Sequence, residues 1–438
     1  MQFQYDLDEV ILNSDVINDT KANLMENAKA IIWLINFNAM PPGLESRLRT
    51  IKFAQYLTEF GYDVTIFSSS VMHNMDKDLI TVGSPFLKRN YGGLKFVHIK
   101  TKKYKKNGFL RIYSLIEFHV KLCRLKNKFI KPDVIIGGAA NPFGNFFYYC
   151  AKKLGAKYIV EVLDLWPESF VSFGLINKRN PFLKIAYRTE RWLYSKADKL
   201  VFSMEGGKDY IKGKKWDKLQ GGSIDLGKVF YINNGVDLHD FDTNKELYKL
   251  DDVDLDDDSI FRVTYIGSVR LVNNIKRLID AAALLKQHTD IKFFIYGDGD
   301  EREFLENYCR EFSIDNVTFK QKWIDPKYVP YVLSRSSLNI LNYMQNDIWK
   351  HGGSQSKLFQ YLASGKPICS NIDMGYCLIN KYNLGVAKQF NSDQEYADAI
   401  LSLASLDEDI YNQMCSRTRE VAKDFDYKLL TKKLVDIL

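Results

Sequence analysis

Apolar and polar positions alternate along the chain in two repeating lengths, short apolar runs and longer stretches of helical period. Residues 30–37 (AIIWLINF) are apolar with little alternation, which predicts a parallel strand covered on both faces. A polar loop, 38–46, carries Pro41-Pro42-Gly43, and residues 47–59 then place Leu48, Ile51, Phe53, Ala54 and Leu57 at helical spacing up to Gly61. Residues 62–68 predict the next strand. Strand, loop, helix and strand make a right-handed crossover unit whose loop lies at the carboxyl end of the first strand, where such sheets bind ligands.

The alternation continues with strands predicted at 134–137, 158–162 and 199–203 and a helix at 181–195. A second series has strands at 261–268, 291–296, 316–323, 337–343 and 367–371. Its helices are expected at 276–288, 329–334 and 357–363, and 395–438 reads as helical. Two such series in 438 residues predict an α/β protein of two Rossmann-like domains, each large enough for its own core. Residues 244–259 include six aspartates within eight positions, which predicts a solvated linker or surface loop. A calcium loop does not fit, because the glycine and final glutamate of that motif are missing. The expected division is therefore an extension at 1–29, a first domain at 30–243, a linker at 244–259 and a second domain at 260–411. The helical segment 412–438 is expected to return to the first domain.

Composition changes this picture little. Hydrophobic residues make up 46% and charged residues 26%, an ordinary globular balance, and the net charge of +7 is modest for the length. The six cysteines form no C-x-x-C pair and have no histidine at zinc spacing, so reduced thiols and no metal are expected. Residues 1–27 carry six acids and no signal-peptide core, and no apolar run reaches the length of a membrane span, so a cytoplasmic protein is expected. For 1–27 the expectation is a short surface helix.

One stretch departs from this balance. Residues 86–131 hold fourteen Lys or Arg against the single acid Glu117, and from Phe109 on the apolar residues recur at helical spacing. A basic amphipathic helix fits an anionic membrane surface. A solvated helix burying its apolar face in the domain fits equally well. Nucleic acid is not an expected partner, because none of its binding motifs is present.

The most informative stretch is 351–371, HGGSQSKLFQYLASGKPICSN. Gly352 and Gly353 permit a tight turn, Ser354 and Ser356 are placed to cap, and a helix and a buried strand follow. A helix opening from a glycine turn directs unpaired N–H groups and a positive dipole end at one spot, which suits a diphosphate. A plain connection has the same pattern.

The run SKLFQYLASGKPI resembles the nucleotide-sugar motif of glycosyltransferase family 4, retaining enzymes of the GT-B fold, particularly the branch that builds bacterial surface polysaccharides. The resemblance extends over about residues 30–435 through Asp164-Leu165-Trp166-Pro167, the Asn-Gly-Val-Asp turn at 234–237, and Arg270 and Lys276 after a glycine-ended strand. It implies two domains facing each other across a cleft, a nucleoside-diphosphate sugar donor, UDP-linked in this branch, and a saccharide or lipid-linked acceptor. It implies no cofactor.

By the same resemblance, Gly267, Arg270, Lys276, Lys322, Trp323, Gly353, Ser354, Ser356, Lys357, Leu358 and Gln360 hold the donor, Arg270 and Lys276 gripping its diphosphate. Gly43, Tyr104, Asn107 and Arg111 meet the acceptor, and Asp164, Asn141 and Glu161 take the catalytic positions. For Glu161, pairing with a neighbouring base is the competing expectation; for Asp164 it is capping the next turn. The family usually has acids where this chain has Gly352 and Gln360, and a histidine where it has Asn141. Proton shuttling at Asn141 is thereby excluded. A catalytically inactive GT-B chain that binds a partner or membrane is the alternative reading.

Overall fold

The computed structural model describes residues 28–438 apart from 46, 73, 74, 76, 82, 105–107 and 139–143. The extension at 1–27, Asn107 and Asn141 lie outside the described residues. The chain forms two compact units. The first comprises residues up to 203, 207–232 and 431–438; the second comprises 204–206 and 233–430.

The first unit is built on β1 (Ile31–Ile35), α1 (Arg49–Glu59), β2 (Asp63–Ser69), β3 (Phe86–Tyr91), β4 (Leu94–Ile99) and α2 (Phe109–Leu125). It continues with β5 (Val134–Gly138), α3 (Asn145–Leu154), β6 (Lys157–Val162), α4 (Glu168–Ser172), α5 (Phe182–Lys196), β7 (Lys199–Phe202), α6 (Gly207–Gly213) and β8 (Val229–Tyr231). Its sheet runs β3-β4-β2-β1-β5-β6-β7-β8, parallel except for the β3/β4 hairpin. β1 lies near the centre, Ile31 opposite Asp63 and Ile32 opposite Val134. Its apolar run is buried because helices cover both faces: the step from β1 to β2 goes one way along the sheet, and those from β5 through β8 go the other. Trp33 packs against Phe67 at 4.5 Å and donates its indole N–H to the Ile130 carbonyl at 3.1 Å. The β3/β4 hairpin turns at Gly92-Gly93, both at positive φ. Much of the basic charge after residue 85 lies on these strands and loops, outside the helix.

The second unit contains α7 (Leu238–Leu247), α8 (Val253–Asp256), β9 (Phe261–Ile266), α9 (Ile275–Leu284), β10 (Ile291–Tyr296), α10 (Arg302–Glu311), β11 (Val317–Phe319) and α11 (Val329–Arg335). β12 (Leu338–Leu341), α12 (Ser356–Ser364), β13 (Ile368–Ser370), α13 (Leu378–Lys381), β14 (Gly385–Ala387), α14 (Asp393–Ala404) and α15 (Glu408–Lys423) complete it. Its sheet, β11-β10-β9-β12-β13-β14, is wholly parallel. One side is packed by α9 and α14 around Tyr265, Phe293, Ile295 and Tyr396. α12 and α15 are joined through Phe359, Leu362, Val421 and Phe425.

Two boundaries differ from expectation. The second unit begins at Asn233, before α7, because α7 packs on α11 within it. The acidic segment is no free linker. Lys320 bonds Asp252 at 2.8 Å and Asp254 at 2.5 Å, Arg335 bonds Asp258 at 2.9 Å, and Leu255 is buried among Phe294, Tyr296 and Val332. Opposite charge on the unit's own surface offsets the repulsion that a run of aspartates would otherwise suffer. The final helix, α16 (Tyr427–Val435), passes from the second unit into the first, as 431–438 belong there. Among the described residues no helix is long and apolar enough to cross a membrane.

Within the first unit, Arg49 of α1 reaches Glu161 of β6 with both Nε and Nη2 on Oε1, at 3.0 and 2.9 Å, and its guanidinium lies 4.5 Å from the Phe53 ring centre. Both side chains are largely buried. Removing one partner leaves an uncompensated charge, so Arg49→Leu is expected to cost about 3–5 kcal/mol. Chemical-denaturant unfolding of the variant checks this; a loss under about 1 kcal/mol contradicts a tight buried pair.

Candidate functional site

In the second unit the site is assembled by the loops that follow β9 and β10 and by the first turn of α12. Gly267, at φ +150°, leaves β9, and Gly297, at φ +125°, leaves β10. A Cβ on Gly297 would stand 1.9 Å from the Gly267 carbonyl oxygen, so the two loops approach at backbone distance. They are also tied by hydrogen bonds from Val269 N to Asp298 O at 2.9 Å and from Glu301 N to Val269 O at 3.1 Å.

Lys357, the second residue of α12, extends its ammonium into this corner. A Cβ on Gly267 would lie 2.9 Å from Nζ, which occupies the space a side chain would need. Nζ bonds the Tyr265 hydroxyl at 3.0 Å and lies over the Tyr265 and Tyr343 rings, at 4.4 and 4.9 Å from their centres. Among the described residues it has no carboxylate partner. Desolvation lowers its pKa to about 7. The Ser356 and Lys357 amides, in the helix's first turn, have no intrahelical acceptor. A partly buried cation at the head of a nine-residue helix, beside a glycine turn, brings a positive charge and the positive end of the helix dipole to one spot.

Other expected donor residues divide by environment. Arg270 is exposed and makes no ion pair or side-chain hydrogen bond among the described residues, so its guanidinium is available. Lys276, its expected partner, is already paired. Its ammonium is held by both Asp280 oxygens, at 2.9 and 2.8 Å, and by the Tyr308 hydroxyl at 3.3 Å. Asp280 lies one turn on along α9, within reach of such a pair. Leu358 is buried in the core with Phe359 and Leu362, which leaves its backbone amide as the group it can offer a donor. Gln360 is half-buried with its amide uncommitted among the described residues. Gln355, between Ser354 and Ser356, holds the N-cap position without a side-chain bond. Lys322 and Trp323 are exposed on the loop after β11, where Gln321 O accepts from Gly297 N at 3.0 Å.

The glycine turn before α12 is fixed by residues that were not expected in the site. Asn233 and Asn234 donate their side-chain amides to the carbonyls of Gly353, at 3.3 Å, and Ser354, at 2.6 Å. Only the Asn-Gly-Val-Asp run pointed toward them. Gly352 sits at φ +84°, in the left-handed region. The acid common to the resembled family would be strained on this backbone, which accounts for glycine in its place.

The first unit holds the remaining expected residues. Gly43 is exposed in the turn of 3-10 helix at Pro42–Leu44 after β1. Tyr104, buried and stacked on Phe37 with ring centres 6.3 Å apart, hydrogen-bonds Arg111 of α2, and burial raises its pKa. Glu45 accepts from Met40 N at 3.0 Å and Arg47 N at 2.8 Å and braces the same loop, a role without a sequence signal. Glu161 is corrected to its competing expectation, since Arg49 holds it. Asp164 does not cap: α4 starts from Pro167, and the carboxylate has no bond among the described residues. Surrounding protein raises its pKa by desolvation, while solvent reaching the exposed side chain limits that rise.

Residues 254–423 match the family described as Glycosyl transferases group 1. HepE of Anabaena, solved with UDP and glucose, is 13% identical over 93% of this chain and 98% of its own, with a TM-score of 0.61. An E. coli trehalose-6-phosphate protein bound with UDP-2-fluoro glucose is 11% identical over the same shares, with a TM-score of 0.69. WaaG, described as a glycosyltransferase involved in lipopolysaccharide biosynthesis, is 14% identical over 93% of this chain and 99% of its own, at 0.62. No curated protein matches the chain by sequence. The chain as a whole therefore has the GT-B fold, and residues 254–423 carry a glycosyl transferases group 1 domain.

Proposed function

We propose that this protein is a retaining glycosyltransferase that moves a sugar from a nucleoside-diphosphate sugar, a UDP-sugar, to a saccharide or lipid-linked acceptor during assembly of a bacterial surface polysaccharide. The observation that carries the proposal is Lys357, an ammonium set at a helix N-terminus with no carboxylate among the described residues to neutralise it. Arg270, free in the adjacent loop, supplies the second positive charge on the diphosphate in place of Lys276. UDP-bound proteins of the same fold support the choice of donor, and WaaG supports the choice of pathway.

Chemistry on this reading depends on charge and position. As the bond from the sugar to the diphosphate breaks, negative charge grows on the leaving phosphate, and Lys357, Arg270 and the first-turn amides of α12 stabilise it without a metal. The leaving phosphate takes the acceptor proton, so no basic side chain at Asn141 is required. Gln360 hydrogen-bonds the ribose, and Asp164 orients the acceptor or the reacting sugar. The protein works in the cytoplasm at the inner face of the plasma membrane, where a lipid-linked acceptor is found.

Lys357→Met and Arg270→Ala are each expected to weaken UDP binding by about 1.5–3 kcal/mol, the worth of a charge-assisted hydrogen bond. Lys276→Ala is expected to leave it nearly unchanged. Calorimetry with UDP decides among them, and equal affinity in wild type and Lys357→Met would sink the proposal.

Asp164→Asn is expected to lower kcat with little change in donor KM, whereas Gln360→Ala is expected chiefly to raise donor KM. Steady-state kinetics with UDP-sugars and saccharide or lipid-linked acceptors reads both. A wild-type protein that binds UDP but transfers no sugar from any nucleotide sugar would instead establish the inactive partner- or membrane-binding chain.

A further inference from the structure

We infer that the first unit docks on an anionic phospholipid leaflet through a surface formed jointly by the first turns of α2 and α5 and the loop before α5. This deepens the proposed function and rests on it only for the nature of the acceptor.

The surface follows from topology. α2, α3 and α5 each lead into the next parallel strand in the same direction along the sheet, so they lie on one face with their N-termini at the strands' carboxyl edge. α3 packs against both neighbours, His119 of α2 on Phe147 at 4.3 Å and Trp192 of α5 against Tyr148 at 5.2 Å. The first turns of α2 and α5 are thus presented at the same edge.

Large apolar side chains stand in water there. Phe109 is 91% exposed and Phe182 75%, with Leu110, Tyr113, Leu175 and Ile185 all more than half exposed. Soluble surfaces scatter such residues singly; here they gather at the starts of the two helices that flank α3. Each group is set among cations without acids. Of the described residues, 103, 104 and 108–116 include Lys103 and Arg111 and no Asp or Glu, and residues 169–189 contain Lys178, Arg179, Lys184 and Arg188 and again no acid. Apolar tips ringed by positive charge match a leaflet whose headgroups are negative and whose interior is apolar. A protein partner would need complementary acids and a shaped pocket for each ring; a fluid bilayer accommodates separate protruding side chains.

Flotation of the full chain with vesicles of mixed phosphatidylglycerol and phosphatidylcholine, against phosphatidylcholine alone, tests the inference. Wild type is expected to bind the anionic vesicles at least about tenfold better, and the advantage should disappear at high salt. Phe182→Ser/Ile185→Ser and, separately, Phe109→Ser/Leu110→Ser are each expected to lose about tenfold or more. Lys178→Glu/Arg179→Glu/Lys184→Glu should remove most of the anionic preference. Far-UV circular dichroism and thermal unfolding of each variant verify that the first unit is folded, and UDP calorimetry reports the second unit separately. Wild-type flotation by the Phe182/Ile185 variant, or equal or no binding of wild type to both vesicles, overturns the surface. Retained flotation with no UDP binding overturns the transferase reading and leaves the surface standing.

Discussion

A lysine ammonium that the fold surrounds with tyrosines and, among the described residues, pairs with no carboxylate is the constraint on which the second unit's site depends. Placing Lys357 over the Tyr265 and Tyr343 rings, with the Tyr265 hydroxyl as its one hydrogen-bond partner among the described residues, costs solvation that these contacts do not recover, and the ammonium's pKa falls to about 7. A phosphate is the ligand that would recover it. Lys276 shows the contrast, for a lysine satisfied by Asp280 has little to gain from a second anion.

Several unrelated features of the backbone serve this one arrangement. Gly267 has no side chain because Lys357 fills that space, and Gly297 has none because the Gly267 carbonyl is there. α12 is held in register by Phe359 and Leu362 against α15, and the turn before it by the amides of Asn233 and Asn234. Buried packing on one side of the helix and side-chain hydrogen bonds at its entrance leave the first turn little freedom, which is what preorganised charge stabilisation requires.

The fold was legible because central parallel strands must be apolar throughout and their helices periodic, and runs such as 30–37 and 261–268 display this without ambiguity. The helix at α12, its terminating Gly365 and the buried strand after it were readable for the same reason. What the sequence hid was pairing. Nothing in one dimension says that Arg49 takes Glu161 from 112 residues away, or that Lys320 anchors an aspartate run that composition assigns to a linker; the Lys276–Asp280 pair, four residues apart on one helix, was within reach of spacing alone. The β3/β4 hairpin escaped notice because its strands carry lysine and arginine on an edge, where charge obscures strand character. Lys357 was named from resemblance; its lack of a counter-ion is a property of the fold.

Proton uptake on UDP binding tests the central claim most directly. A desolvated ammonium with a pKa near 7 is mostly neutral at about pH 8, and a bound diphosphate favours its charged form, so binding must draw a proton from solution there. Calorimetry at about pH 8 in buffers of different ionisation enthalpy measures that proton count, at a pH where UDP's own phosphates are already ionised. The account predicts uptake of a large fraction of one proton per UDP in wild type and none in Lys357→Met. Binding by wild type with no proton uptake would contradict it.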